Sequence, residues 1–429
     1  MDRVILGDGC FVDDAIGTFR PNNNQIVVGC SGTGKSMSVM LPTILDMNES
    51  SMIGTYSKAG EARRIAEYKR IRGYRSYICD LTAPEKSTVG FDPLRFVTSY
   101  LDVEDLSKNI VLADPDSKNA RDIYWNDSAV SLLNSLILAT LMTKDNANMA
   151  DVVELFDNLT LSESGKGILT SLDDYYKKIR AKAGNCQAVT LFSDYQQLPY
   201  NTAGCVRDTL AKALRRLFPE PIKKLMRKRE QIDFEKIATE KTSLIIITSP
   251  VNVSLYLFAN LLFSSAIKQL LEYAEECYNQ RLPIPVRLMF DDFACAAKIN
   301  DYSKHIAIFR AAGLSAMMLL QSEDQLRELY SDAEATNILN NCSCYVYFPG
   351  GMDLTTCRNV SQRLDVPVTD IMYAPTGKVI VMQSGKKPVT VPRYDILKSK
   401  EYNKFITMTG RNNREITRQT LNIIFCSIY

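Results

Sequence analysis

The octapeptide Gly29-Cys30-Ser31-Gly32-Thr33-Gly34-Lys35-Ser36 constrains this chain more than any other stretch. It follows the β-rich run from Gln25 to Gly29 and leads into a helical pattern from Lys35 to Met47. Its glycines let the backbone curl so that several N–H groups converge on phosphate oxygens. Lys35 supplies a point charge for β and γ phosphates, and the Ser36 hydroxyl is placed to hold Mg²⁺. The positive end of the following helix adds to the same anion site. The expected nucleotide contacts are Gly29, Cys30, Ser31, Gly32, Thr33, Gly34, Lys35, Ser36 and Met37, with ATP and Mg²⁺ as cofactors.

A strand–loop–helix unit of this kind belongs in an α/β sheet, and the rest of the chain agrees. Short apolar runs of β-rich residues recur at Ser51 to Thr55, Ser76 to Cys79, Ser243 to Thr248, Val286 to Phe290, Ser315 to Leu320 and Cys344 to Phe348. Helical patterns separate most of them. The fold class expected is α/β, a mainly parallel P-loop sheet of the RecA/FtsK-like kind. Runs such as LIIIT and RLMF do not alternate with polar residues, which suits central strands covered on both faces. A hairpin is expected from Val379 to Gln383 and Pro388 to Pro392.

Between Asn119 and Lys228 the strand signals vanish. Trp125 to Met142, Gly165 to Lys182, Cys186 to Leu198 and Thr202 to Phe218 all read as helical. The expected organisation is a first nucleotide-binding segment over 1–118, an inserted all-α domain over 119–228, a second nucleotide-binding segment over 229–395 and a tail over 396–429. The net charge is only +2, so any electrostatic signal must be local. From Lys177 to Arg229 there are 13 Lys and Arg against Asp194, Asp208 and Glu220. Tyr175 and Tyr176 adjoin the first cluster. Basic surface with aromatic rings can track and stack single-stranded nucleic acid, although such charges also serve as ordinary solvated helix faces.

A phosphate-binding loop needs a carboxylate at the end of a buried neighbouring strand to hold the metal's water shell. Arg287-Leu288-Met289-Phe290-Asp291-Asp292 supplies it. Asp291 is the candidate Mg²⁺ partner with Ser36, and Asp292 the candidate that polarises the attacking water. Gln321, at the end of the next apolar run, is a candidate sensor of the γ-phosphate or an ordinary strand-end residue. Arg310, before that run, is a candidate arginine finger for a neighbouring subunit's site or a solvated helix-end cation. The candidate catalytic set is therefore Lys35, Asp292, Gln321 and Arg310.

Composition removes other chemistries. His305 is the only histidine, which excludes a Cys2His2 zinc site, and the 11 cysteines are scattered without CxxC pairs. No run of eighteen apolar residues occurs, and Leu255 to Leu271 reads as a buried helix.

These motifs resemble, in order and spacing, the cytoplasmic part of the type IV coupling proteins, the TraG/TraD-like ATPases of conjugation and type IV secretion. The resemblance runs from about Asn24 to Leu364. It is carried by the GCSGTGKS loop, Phe91-Asp92-Pro93-Leu94, Trp125-Asn126-Asp127-Ser128-Ala129, Asp291-Asp292-Phe293-Ala294, Arg310-Ala311-Ala312-Gly313, Leu320-Gln321-Ser322 and Ile338-Leu339-Asn340-Asn341-Cys342.

The resemblance implies an ATP-driven pump of single-stranded DNA that recruits relaxase–DNA substrate to a type IV secretion channel. It implies a homo-hexameric ring and a cytoplasmic position at the inner face of the cell membrane. It favours Arg310 as a finger and Gln321 as a sensor. A nucleotide-regulated substrate receptor with little hydrolysis, or an FtsK/HerA-like DNA translocase, are the alternatives.

Three departures stand out. Thr55-Tyr56-Ser57-Lys58-Ala59-Gly60-Glu61 replaces the family's Asp-Pro-Lys-Gly-Glu segment, and Asp292 replaces its Glu. The family's N-terminal membrane helices are absent, so membrane contact is expected only through a missing segment or a partner.

Overall fold

The computed structural model describes residues 2–13, 22–113, 123–165, 167–252, 254–294, 298–351 and 353–410. Its strands are β1 (Arg3–Gly7), β2 (Cys10–Asp13), β3 (Gln25–Val28), β4 (Ser51–Tyr56), β5 (Arg75–Asp80), β6 (Leu161–Ser164), β7 (Gly167–Thr170), β8 (Thr242–Ile247), β9 (Val286–Phe290), β10 (Leu314–Leu320), β11 (Cys344–Tyr347), β12 (Lys378–Gln383) and β13 (Val389–Pro392). Nine of them form one sheet in the order β13-β12-β11-β3-β10-β9-β4-β8-β5. Every pairing from β11 to β5 is parallel, and only β11 with β12 and β12 with β13 are antiparallel. The mainly parallel α/β sheet expected from the apolar runs is present.

The central strands are buried along their whole length, as their unalternating composition requires. Alternate residues feed two cores. Ile26, Val28, Leu288, Phe290 and Met318 face the inserted helices. Val27, Met289, Met317 and Leu319 face the helices at Leu41–Asp46, Ala59–Ile71 and Lys400–Met408. Residues 3–13 add a hairpin that lies outside the expected pattern. Asp2 fixes it by accepting from the Asn48, Glu49 and Ser50 amides.

The segment between β5 and β8 is mostly helical, with long helices at Ile123–Thr143 and Tyr200–Leu217. It is not wholly so. The helix expected over Gly165 to Lys182 begins at Asp173, and β6 and β7 form a hairpin before it. Two local causes are visible. The Asp173 carboxylate accepts from the Thr170 amide and hydroxyl, which fixes a turn ahead of the helix. Gly167, at φ +121°, packs so close to Gln196 that a Cβ would meet its carbonyl at 2.3 Å. Neither contact can be read from helical periodicity.

The helix Ser254–Glu276 is long and apolar enough to cross a membrane by length and composition, yet about two-thirds of its most apolar stretch is buried inside the protein. Phe258 meets Phe91 edge-on at 5.5 Å and Phe218 at 6.2 Å, while Phe263 meets Phe290 at 4.5 Å. This helix therefore ties the inserted helices to β9. Truncating Phe258 to Ala costs about 3–5 kcal/mol. The tail, unreadable in sequence, supplies a helix at Lys400–Met408 whose Tyr402, Phe405 and Ile406 are buried. Residues 411–429 lie outside the described residues.

Candidate nucleotide site

The site lies at the carboxyl ends of the parallel strands, where α/β sheets present their ligand crevice. β3 ends at Val28, and the Gly29 amide donates to the Leu320 carbonyl at the end of β10. On the other side the Phe348 amide donates to the Val28 carbonyl. β11 passes so close that a Cβ on Gly29 would sit 2.6 Å from that of Phe348, so only glycine fits. The loop turns back at Gly34, φ +88°. A side chain there would cost roughly 1–2 kcal/mol.

The helix after the loop opens as a wide π-turn over Ser36–Met40 before becoming α-helical at Leu41. Pro42 explains the change. It lacks an N–H, and its ring would press on the carbonyl four residues back, so the preceding turn widens.

Lys35 Nζ donates to the carbonyls of Gly29 and Cys30, the latter at 3.0 Å. Burial lowers its pKa, offset by the charges of Asp292 and Asp291. Ser36 Oγ donates to Asp291 Oδ1 at 2.5 Å. β9 is separated from β3 by β10 alone, and that spacing sets the carboxylate beside the loop's hydroxyl. The Asp291 amide donates to Thr55 Oγ1 at 3.2 Å, so Thr55 takes a definite role in a segment that departs from the family pattern. Next to it the Tyr56 hydroxyl is buried with no hydrogen-bond partner among the described residues, and burial pushes its pKa well up.

Asp292 borders a small cleft lined by Thr55, Tyr256, Asn260, Phe293 and Tyr330. Burial and the adjacent Asp291 push its pKa up to about 6, against the pull of Lys35. Burial also raises that of Asp291, which the Ser36 hydrogen bond opposes. Two carboxylates held beside an ammonium in a poorly hydrated crevice form a cation-hungry site. The serine hydroxyl and Asp291 carboxylate are hard oxygen ligands of the kind Mg²⁺ takes. Ala294, just beyond, is held at φ +60°, a conformation that costs a non-glycine residue of order 1 kcal/mol and clusters at functional sites.

Of the remaining candidates, Gln321 follows β10 directly and so lies at this same end of the strands, exposed, its backbone amide donating to Gln325 Oε1 at 3.1 Å. Arg310 is elsewhere. It precedes β10 on an exposed turn at the opposite end of the sheet, and β10 alone spans roughly 20 Å. Arg310 therefore cannot reach the loop of its own chain. The Cys30, Ser31, Gly32, Thr33 and Met37 positions all belong to the loop and the first turn. Sequence reading missed Arg393, which follows β13 and donates from Nη1 to the Thr33 carbonyl at 2.9 Å. No motif marks it.

The basic segment is less uniform than its sequence. Lys177 pairs with Asp174, Lys223 with Asp157, Arg227 with Glu154, and Lys228 donates to the Ser87 carbonyl. Lys178, Lys182, Arg215 and Lys224 are exposed. The two tyrosines are structural, contrary to expectation. Tyr176 is 4% exposed, stacks on Phe192 at 3.7 Å and hydrogen-bonds Ser135. Tyr175 bonds Thr143 and the Ala139 carbonyl.

Comparison with known proteins bears on the fold and the family. The chain is 31% identical over 121 residues to the conjugal transfer protein TraG of Rhizobium radiobacter; that stretch covers 27% of this chain and only 18% of TraG. The bacterial conjugative coupling protein TrwB, solved with sulphate, matches with a TM-score of 0.65 at 16% identity, over 86% of this chain and 85% of that one. TrwB has also been solved with the non-hydrolysable ATP analogue ADPNP and with ADP and Mg²⁺. VirB4 of Thermoanaerobacter pseudethanolicus matches with a TM-score of 0.57 at 13% identity, over 94% of this chain and 98% of that one. At such identities the structural likeness establishes the fold. A protein family described as type IV secretory system conjugative DNA transfer matches residues 4–365, so the chain belongs to that family.

Proposed function

We propose that this chain is an ATP-driven coupling protein that moves single-stranded DNA toward a type IV secretion channel, with Mg²⁺ as its metal. The observation that carries this reading is the meeting of Lys35, Ser36, Asp291 and Asp292 at the carboxyl ends of the central strands. In this reading the loop amides and Lys35 hold the β and γ phosphates. Ser36 and Asp291 hold the metal, which supplies charge stabilisation to the transferring phosphoryl group when bound. Asp292 accepts a proton from the attacking water. Gln321 reports the γ-phosphate to β10.

Arg310 acts on a neighbouring subunit's nucleotide in a homo-hexameric ring, a role its distance from its own loop supports. The exposed Lys178, Lys182, Arg215 and Lys224 contact DNA phosphates, and relaxase and channel components are the protein partners, met at the inner face of the membrane. The division proposed is nucleotide-binding segments over 1–118 and 229–395 around an insertion over 119–228. Its support is that β3 to β5 precede the insertion while β8 to β12 follow it in one sheet.

An ATPase titration against protein concentration, with and without single-stranded DNA, tests this. Turnover per chain should rise with concentration and with DNA, and Lys35→Ala should abolish it. Turnover unchanged by Lys35→Ala rejects the site.

A receptor that uses nucleotide only as an assembly switch is favoured by one observation, the short carboxylate of Asp292. Nucleotide binding with negligible turnover, restored by Asp292→Glu, would select it.

A further inference from the structure

We propose that Arg393 is a positioning residue for nucleotide binding, a brace that holds the phosphate loop in its binding shape from behind. The inference rests on the reading of Gly29 to Ser36 as a nucleotide site, and it concerns a residue beyond the 4–365 span that the family match covers.

In a phosphate-binding loop the amides face the anion, so the carbonyls face outward. Arg393 takes one of those outward carbonyls, donating from Nη1 to Thr33 O at 2.9 Å. The guanidinium also packs close against the turn, because a Cβ built on Gly34 would stand 3.0 Å from the same Nη1. Gly34 is required by its φ of +88°, and the end of the Arg393 side chain packs against it.

The brace itself is anchored. The Arg393 amide donates to the Gly377 carbonyl, and β13, immediately before it, pairs with β12, which pairs with β11 beside the loop's own strand. Across the loop, Gly350 approaches Thr33 and Gly351 approaches Cys30, so the turn is held between two segments that follow β11.

Among the described residues Arg393 forms no ion pair, and Thr33 is its one side-chain hydrogen-bond partner. An arginine carries five donors and a permanent charge. One donor fixes the loop, and the charge remains uncompensated within a few ångströms of amides that already favour an anion. Both effects lower the free energy of the phosphate-bound state. Neither touches the attacking water or the leaving oxygen, so Arg393 should govern affinity and leave the chemical step alone.

The test is equilibrium binding of fluorescent ATP and ADP analogues to the full chain, combined with steady-state kinetics and thermal melting without nucleotide. Arg393→Ala should weaken ATP and ADP alike by about tenfold or more. It should leave kcat at saturating ATP within about threefold and the nucleotide-free melting temperature unchanged. Arg393→Lys should bind nearly as the native chain does. Arg393→Gln, which keeps an N–H for Thr33 but loses the charge, should fall between.

Unchanged affinity in Arg393→Ala overturns the proposal. So does a loss of affinity matched by a fall in melting temperature that Arg393→Lys does not reverse. If Arg393→Ala does not fold, Arg393→Gln decides, and binding equal to that of the native chain rejects the brace. Failure of the native chain to bind either analogue would reject the nucleotide site itself, a different result from any of these.

Discussion

Ser36 Oγ and Asp291 Oδ1, 255 positions apart in the chain, are joined by a hydrogen bond of 2.5 Å at the mouth of the phosphate loop. The hydroxyl and carboxylate thus hold each other in the place where both would meet a hydrated magnesium ion. Ser36→Ala should keep metal-free nucleotide binding and lose the gain in affinity that Mg²⁺ provides. Asp291→Asn should lower turnover by about a hundredfold or more, because the metal loses its anionic anchor. Titration with Mg²⁺ at fixed nucleotide, followed by chelation, checks both.

Asp292 should set the acid limb of activity. Its pKa is pushed up to about 6 by burial and by Asp291. A general base must be ionised, so kcat/KM should climb as pH rises through about 6 and level off above. Asp292→Glu extends the carboxylate by one methylene into the cleft lined by Asn260 and Tyr256, and should raise turnover severalfold. A pH–rate profile of both forms at saturating DNA is the measurement. A limb that stays in place in Asp292→Asn assigns it to another group.

Asp92 places a second titration far from the chemistry. It is 2% exposed and accepts from the Leu94 and Met149 amides, joining the sheet domain to the helix Met149–Asp157. Burial raises its pKa to about 6. Its folded value therefore lies above the unfolded one, so the folded state holds its proton longer. The associated stability is full below about 4, falls as pH rises toward 6, and is lost above. Asp92→Asn keeps an acceptor oxygen and removes the charge. It should stabilise the protein at pH 8 by on the order of 1–3 kcal/mol and give no gain near pH 4. Urea unfolding at the two pH values distinguishes the cases.

The insertion should bind DNA through exposed cations and not through Tyr175 or Tyr176. Tyr175→Phe should leave affinity for single-stranded DNA unchanged. Tyr176→Ala should destabilise the insertion by about 3–5 kcal/mol, because it empties the stack on Phe192. Reversing Lys182 and Arg215 to Glu should weaken binding and flatten its salt dependence. Fluorescence anisotropy across a salt series, with melting curves alongside, reads out each change.

The phosphate loop was legible because its chemistry is local. Main-chain amides, a lysine and a hydroxyl within eight residues form one anion cradle wherever the following helix begins, and β-rich apolar runs mark buried parallel strands whatever their order. Asp291 was legible for the same reason, as an acid ending such a run.

Which strand lies beside which was not local. The position of β9 one strand away from β3 decided that Asp291 meets Ser36, and the two ends of β10 decided that Gln321 falls at the loop's end of the sheet while Arg310 falls at the other. The β6–β7 hairpin, the buried tyrosines and Arg393 at Thr33 depend on contacts between residues distant in the chain. Periodicity and spacing carry no record of such contacts, because packing and loop closure fix them only once the sheet has assembled.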